Sequence, residues 1–85
     1  MLFKHQSTQK AILFIKKAID IYQYNSNQEG KIFTLINLAD AYYQLKKYKK
    51  SKKHYTQALK LANDIKETQL KLKCYLGLFE NAVQL

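Results

Sequence analysis

Two apolar series separated by only two residues constrain this chain more than anything else in it. Leu35, Leu38, Ala39, Tyr42 and Leu45 recur at steps of three and four, and Tyr48, Ser51, Tyr55, Ala58, Leu59 and Ala62 do the same. That spacing places each series on one face of a helix. Lys46 and Lys47 alone lie between them, so the second helix must double back on the first as an antiparallel hairpin. Side-chain sizes sharpen the expectation. Small Ala39, Ser51 and Ala58 stand where two backbones approach, and large Tyr42, Tyr48 and Tyr55 fill the spaces between.

The pattern extends in both directions. Ala11, Phe14, Ile15, Ala18, Ile19 and Tyr22 mark an earlier helix face, with Ser7 or Thr8 as the expected cap and residues 1–6 expected to fray. Asn25-Ser26-Asn27 is a turn cluster, and Ser26 or Asn27 can cap the helix that follows, expected over residues 28–45 with Gly30 weakening its first turn. A third helix is expected over residues 48–65. After a polar break at Asn63-Asp64, a fourth is expected over residues 66–84. A shift of forty residues superposes Ala11 on Ser51, Ile15 on Tyr55, Ala18 on Ala58, Leu38 on Leu78 and Gln44-Leu45 on Gln84-Leu85. Helix one therefore matches helix three, and helix two matches helix four. In helix four the register is less clean. The forty shift sets Phe79 on Ala39 and Ala82 on Tyr42, inverting the size order, whereas a shift of 38 sets Leu76-Gly77 on Leu38-Ala39. The expectation is an all-α antiparallel hairpin stack of four helices in one domain.

Leu38-Ala39, Tyr42, Tyr48, Ser51, Tyr55 and Ala58 fall on the consensus spacing of the tetratricopeptide repeat, which this stretch resembles closely. Three positions depart: Ser51 replaces the usual Ala, Lys46 the usual turn Gly, and Asn63 the usual closing Pro. A period of forty exceeds the commonest repeat length of about 34. The strings Tyr-Tyr-Gln-Leu-Lys-Lys-Tyr-Lys-Lys-Ser and Ala-Leu-Lys-Leu-Ala-Asn-Asp-Ile resemble repeats of the Rap-type bacterial quorum-sensing peptide receptors. In repeat terms the chain opens with a second helix, closes with a first helix, and holds one complete repeat at residues 31–65. Such units need about three repeats to bury their faces. Either the chain is a piece of a longer array, or its apolar ends pair with another copy as a homo-oligomer.

The resemblance implies a protein- or peptide-binding module, with the first helix of each repeat lining a concave groove. Carried onto matched positions, that face comprises Phe33, Ile36, Asn37, Asp40, Tyr43 and Gln44, and on helix four Lys73, Leu76, Gly77, Glu80, Val83 and Gln84. Asn37 stands out because a carboxamide offers a donor and an acceptor to a peptide backbone. Ile36 and Leu76 stand where a two-lysine carboxylate clamp would need charge, so that device is not expected.

Composition narrows the alternatives. The net charge of +9 comes from lysine, with no arginine in the chain. Lys46, Lys47, Lys49, Lys50, Lys52 and Lys53 form a basic patch on which an unspecific nucleic-acid contact is conceivable. Without arginine it would lack the forked donor suited to reading guanine and would be salt-sensitive. Nucleic acid is therefore the disfavoured partner. One cysteine excludes an internal disulfide framework and fits a reducing cytoplasmic setting. The longest strongly apolar piece, residues 11–15, is far too short to span a membrane, and no cleavable leader is expected. His5 and His54 lie apart, Cys74 reads as a small core residue, and the six carboxylates are scattered singly. No catalytic set, metal site or cofactor is expected, and the chain does not read as an enzyme.

Overall fold

The computed structural model describes residues 2–24 and 27–85, with residues 2–6 and 23–24 as backbone only. Four α-helices follow one another: α1 (Leu2–Tyr24), α2 (Gln28–Gln44), α3 (Tyr48–Asp64) and α4 (Thr68–Gln84). No strand occurs among the described residues. The last three helices are 17 residues each and start twenty residues apart. The expected hairpin stack is therefore present.

The turns are copies of one another. At the end of α2 the Lys47 amide donates to the Tyr42 carbonyl at 2.9 Å and the Lys46 amide to the Tyr43 carbonyl at 2.9 Å. At the end of α3, Glu67 donates to Ala62 at 3.0 Å and Lys66 to Asn63 at 3.2 Å. This paired closure satisfies carbonyls that the helix leaves free, and it puts the residue after the cap in the left-handed region. Lys46 and Lys66 sit there with φ of 61° and 56°. The Asn27 amide donates to the Tyr22 carbonyl at 2.9 Å, the same step at the end of α1.

Three local expectations change. Helix α1 begins at Leu2, so residues 2–6 are helical, and Ser7 and Thr8 lie inside the helix, where Thr8 is buried. The α3–α4 break falls at Ile65-Lys66-Glu67 rather than Asn63-Asp64, because Lys66 takes the left-handed turn and Glu67 caps α4 by accepting from the Gln69 amide at 3.3 Å. Of the two candidate caps for α2, Asn27 accepts from the Gly30 amide at 2.9 Å, and Ser26 lies outside the described residues. Gly30 has a packing reason beyond its flexibility. A Cβ there would meet the Tyr22 ring at 2.6 Å, so its absence lets α1 lie across the start of α2.

The core is continuous across three helices. Ile32, Leu35, Ile36 and Ala39 from α2 meet Tyr55, Ala58 and Ala62 from α3, and Leu70 and Cys74 from α4. A second cluster joins Ile12 of α1 to Leu38, Ala41 and Tyr42 of α2. Ala39, Ser51 and Ala58 are fully buried, which is what close helix approach requires of small side chains. Ala18, the equivalent of Ala58 in α1, is half-buried, because α1 is covered from one side only.

Candidate functional site

Helix α2 touches α1, α3 and α4, while α1 and α3 do not meet each other. The α2–α4 side is therefore the inner side of the stack. Periodicity decides which side chains face it. On α2 the positions turned toward α1 and α3 are consumed by the core, leaving Phe33, Asn37, Asp40 and Gln44 exposed along one stripe. On α4, Leu70, Cys74, Gly77 and Asn81 are buried at steps of four, three and four, which turns Lys73, Glu80 and Gln84 toward α2.

Contacts across the helices confirm that placement. The Lys73 ammonium lies 5.2 Å from the centre of the Phe33 ring, a cation–π arrangement. The Gln84 amide donates to the Tyr43 hydroxyl at 3.5 Å, and the Tyr43 ring meets Tyr48 edge-on at 5.3 Å. Asp40 accepts a hydrogen bond from the Tyr55 hydroxyl, which reaches through from α3. Desolvation by its neighbours pushes the Asp40 carboxyl above its usual range. The charge of Glu80 adds to that rise, and Lys73 opposes it. Two carboxylates forty residues apart in sequence are thus neighbours in space, a pairing that the scattered positions did not predict.

The flank toward α1 is equally formed. Ser7, Thr8, Ala11 and Ile15 of α1 line a depression together with Asn37, Asp40, Ala41 and Gln44 of α2. Asn37 makes no side-chain hydrogen bond within the described chain, so its donor and acceptor both remain open. The site is a mostly polar strip running across α1, α2 and α4, with Ala11, Ile15, Phe33 and Ala41 as its apolar members.

Four sequence-predicted members do not belong to it. Ile36 is buried in the core between α2, α3 and α4, because its position on the helix points between the rods rather than at the hollow. Gly77 is buried beneath the Tyr55 ring, and a Cβ there would collide with that ring. Leu76 and Val83 are exposed, but they lie beyond Glu80 on the side of α4 turned away from α3. Phe33, Asn37, Asp40, Tyr43, Gln44, Lys73 and Glu80 lie near one another on this side of the stack.

The lysine patch keeps a different geometry. Lys46, Lys47, Lys49, Lys50, Lys52 and Lys53 stay exposed around the α2–α3 turn, while Ser51 points inward and Tyr48 is half-buried. Lys50 lies 5.5 Å from the Tyr42 ring centre, and His54 stacks on that ring at 5.2 Å with its Nδ1 2.7 Å from the Lys50 carbonyl oxygen. His54 is therefore a packing residue rather than a free surface histidine. Cys74 is fully buried, and burial pushes its thiol up to about 11, which keeps it neutral and a poor nucleophile. Among the described residues no three His, Cys, Asp or Glu side chains are placed to hold a metal ion. No described helix is long and apolar enough to cross a membrane.

The family model for the tetratricopeptide repeat matches residues 1–64, a span that ends where α3 ends. No curated protein and no solved structure matches the chain. A hairpin stack with small residues at Ala39, Ser51 and Ala58, joined by copied turns and matched over three of its four helices, makes this chain a member of the tetratricopeptide-repeat family.

Proposed function

We infer that this chain is a peptide-binding module that holds an extended segment of a partner protein along the inner strip of α2 and α4. Membership of a family of interaction repeats supports a binding role over a catalytic one. One observation carries the finer reading: Phe33, Asn37, Asp40, Gln44, Lys73 and Glu80 share one face, and none of them is a member of the apolar core. Asn37 offers both halves of a backbone-like hydrogen-bond pair, Phe33 offers an apolar platform, and the two carboxylates with Lys73 read ligand charge. A cytoplasmic role in a bacterial peptide-responsive regulator follows from the likeness of the repeat strings to Rap-type receptors.

The test is a screen of the labelled chain against a random dodecapeptide library, followed by amide-shift mapping with the strongest binder. Perturbations should centre on residues 33, 37, 40, 44, 73 and 80. Asn37→Ala should lower affinity at least about tenfold, the scale of two lost hydrogen bonds, without changing helical content. Undiminished binding by Asn37→Ala, or perturbations confined to residues 46–53, would overturn the reading. The second result would favour the lysine patch instead.

A further inference from the structure

We propose that the lysine turn between α2 and α3 is a second binding surface, separate from the inner strip, and that its partner is an acidic run of another polypeptide. Six of the 15 lysines fall within residues 46–53. Lys46 and Lys47 form the turn ahead of α3. Lys49, Lys50, Lys52 and Lys53 then fan over roughly 160° of the helix circumference, at about 100° per residue, and all six are exposed. About 6 Å of helix axis separates Lys49 from Lys53, so the charge is gathered into a compact cap rather than drawn out along a groove. No carboxylate balances it. Helix α3 has no acid in its first turn, and among the described residues none of the six lysines forms an ion pair. Lys50 lies over the Tyr42 ring, and the ammonium groups of the other five have no partner among the described residues.

Such a cap attracts any anion, and the surrounding side chains choose among them. Single-stranded nucleic acid is held by basic side chains together with open aromatic faces on which bases stack, and the turn offers no such face. Tyr42 is buried, with His54 stacked on its ring and Lys50 over it, and Tyr48 is half-buried edge-on to Tyr43. Arginine, whose planar fork suits phosphate, is absent from the chain. Lysine is a point charge that a carboxylate satisfies as well. A basic segment that settles on a membrane gains from apolar side chains set among its charges. Here the residues between the lysines turn inward, Ser51 fully buried and Tyr48 half-buried. Lys46, Lys47, Lys49 and Lys50 also line a hollow of about 380 Å³ with Tyr48 and Leu85. A hollow among lysines receives a protruding anionic side chain, which an aspartate- or glutamate-rich segment supplies and a flat bilayer does not. Ion pairs at an exposed cap are individually weak, so affinity comes from several carboxylates engaged at once and fades as salt rises.

The test is the anisotropy of dye-labelled octaglutamate titrated with the full chain at low salt, beside a thymidylate strand of matched charge. Co-sedimentation with phosphatidylserine vesicles forms a third arm. Octaglutamate should bind more tightly than the thymidylate strand, and its affinity should fall as salt rises. Lys49→Glu, Lys52→Glu and Lys53→Glu combined should weaken it at least about tenfold. The same change at Lys10, Lys16 and Lys60, which are exposed elsewhere on the molecule and alter net charge equally, should weaken it less than about threefold. The patch variant should melt no lower than wild type, because its lysines oppose the dipole of α3, so its lost binding is not lost folding. Asn37→Ala should leave octaglutamate binding unchanged, which separates this surface from the inner strip. Equal losses for the two triple variants would reduce the attraction to net charge alone. Tighter binding of the thymidylate strand, or pelleting with vesicles that excess octaglutamate does not reverse, would assign the cap to a phosphate-bearing partner. Any of these results, or no octaglutamate binding at low salt, overturns the proposal.

Discussion

Ser51 occupies a position where repeats of this family favour alanine, and the hydroxyl has a use. Its Oγ donates to the Ala39 carbonyl at 2.7 Å and accepts from the Asn81 amide at 2.9 Å, and that amide also donates to the Gly77 carbonyl at 3.1 Å. One buried oxygen therefore ties α2, α3 and α4 together. The arrangement is incompletely satisfied, since the Asn81 Oδ1 is buried without a partner. A half-satisfied polar cluster makes removal of one member costly and removal of both cheaper. Ser51→Ala should lower unfolding free energy by about 1–2 kcal/mol. In an Asn81→Ala background the same change should cost less than half as much. Urea unfolding of the four proteins of this cycle measures the coupling, and strict additivity would show that the two side chains act independently. The spacing of apolar residues marked Ser51 as a small core position. It could not reveal Asn81, because a partner thirty residues away on another helix has no local signature.

At the scale of elements, the hairpins are closed by residues poorly suited to them. Lys46 and Lys66 take left-handed backbone that costs a non-glycine residue energy, and glycine relieves it. Lys47 caps α3 without a side-chain acceptor, unlike Asn27 and Glu67 at the equivalent sites, and the lysines after it oppose the helix dipole. Lys46→Gly should stabilise the fold by roughly 0.5–1 kcal/mol, and Lys47→Asp by a similar amount of roughly 0.5–1 kcal/mol. Thermal unfolding of each variant checks both; a lower melting temperature for either would refute its turn geometry. The hairpins themselves were legible from two apolar series with two residues between them. The register of α4 was not, and the reason is physical. Helix bounds repeat at forty, 28–44 against 68–84, while buried positions repeat at thirty-eight: Ile32, Ile36 and Ala39 against Leu70, Cys74 and Gly77. Helix α2 is covered from several sides and α4 from fewer, so their buried faces are different faces of the same repeat.

For the whole molecule, the same asymmetry sets where stability resides. α3 is packed between α2 and α4, and α2 between α1 and α3, whereas α1 has α2 as its single neighbour. In a stack where each unit leans on the next, the ends open first. Native-state amide exchange should be slowest in the middle of α2 and α3 and fastest in α1, with a protection gap of at least about 1 kcal/mol. Exchange of all four helices at one common rate would show a single cooperative unit instead.

Periodicity, residue size and a two-residue spacer were enough, read from the sequence, to determine the all-α class, the helix count and the hairpin topology. These are local properties, written into each helix by which face is apolar. Tertiary packing alone decided that Ile36 and Gly77 leave the strip for the core, that Asp40 and Glu80 become neighbours, and that the Asn81 amide donates to the Ser51 hydroxyl. Those outcomes depend on which of several apolar faces finds a neighbour, a choice settled only when the helices meet.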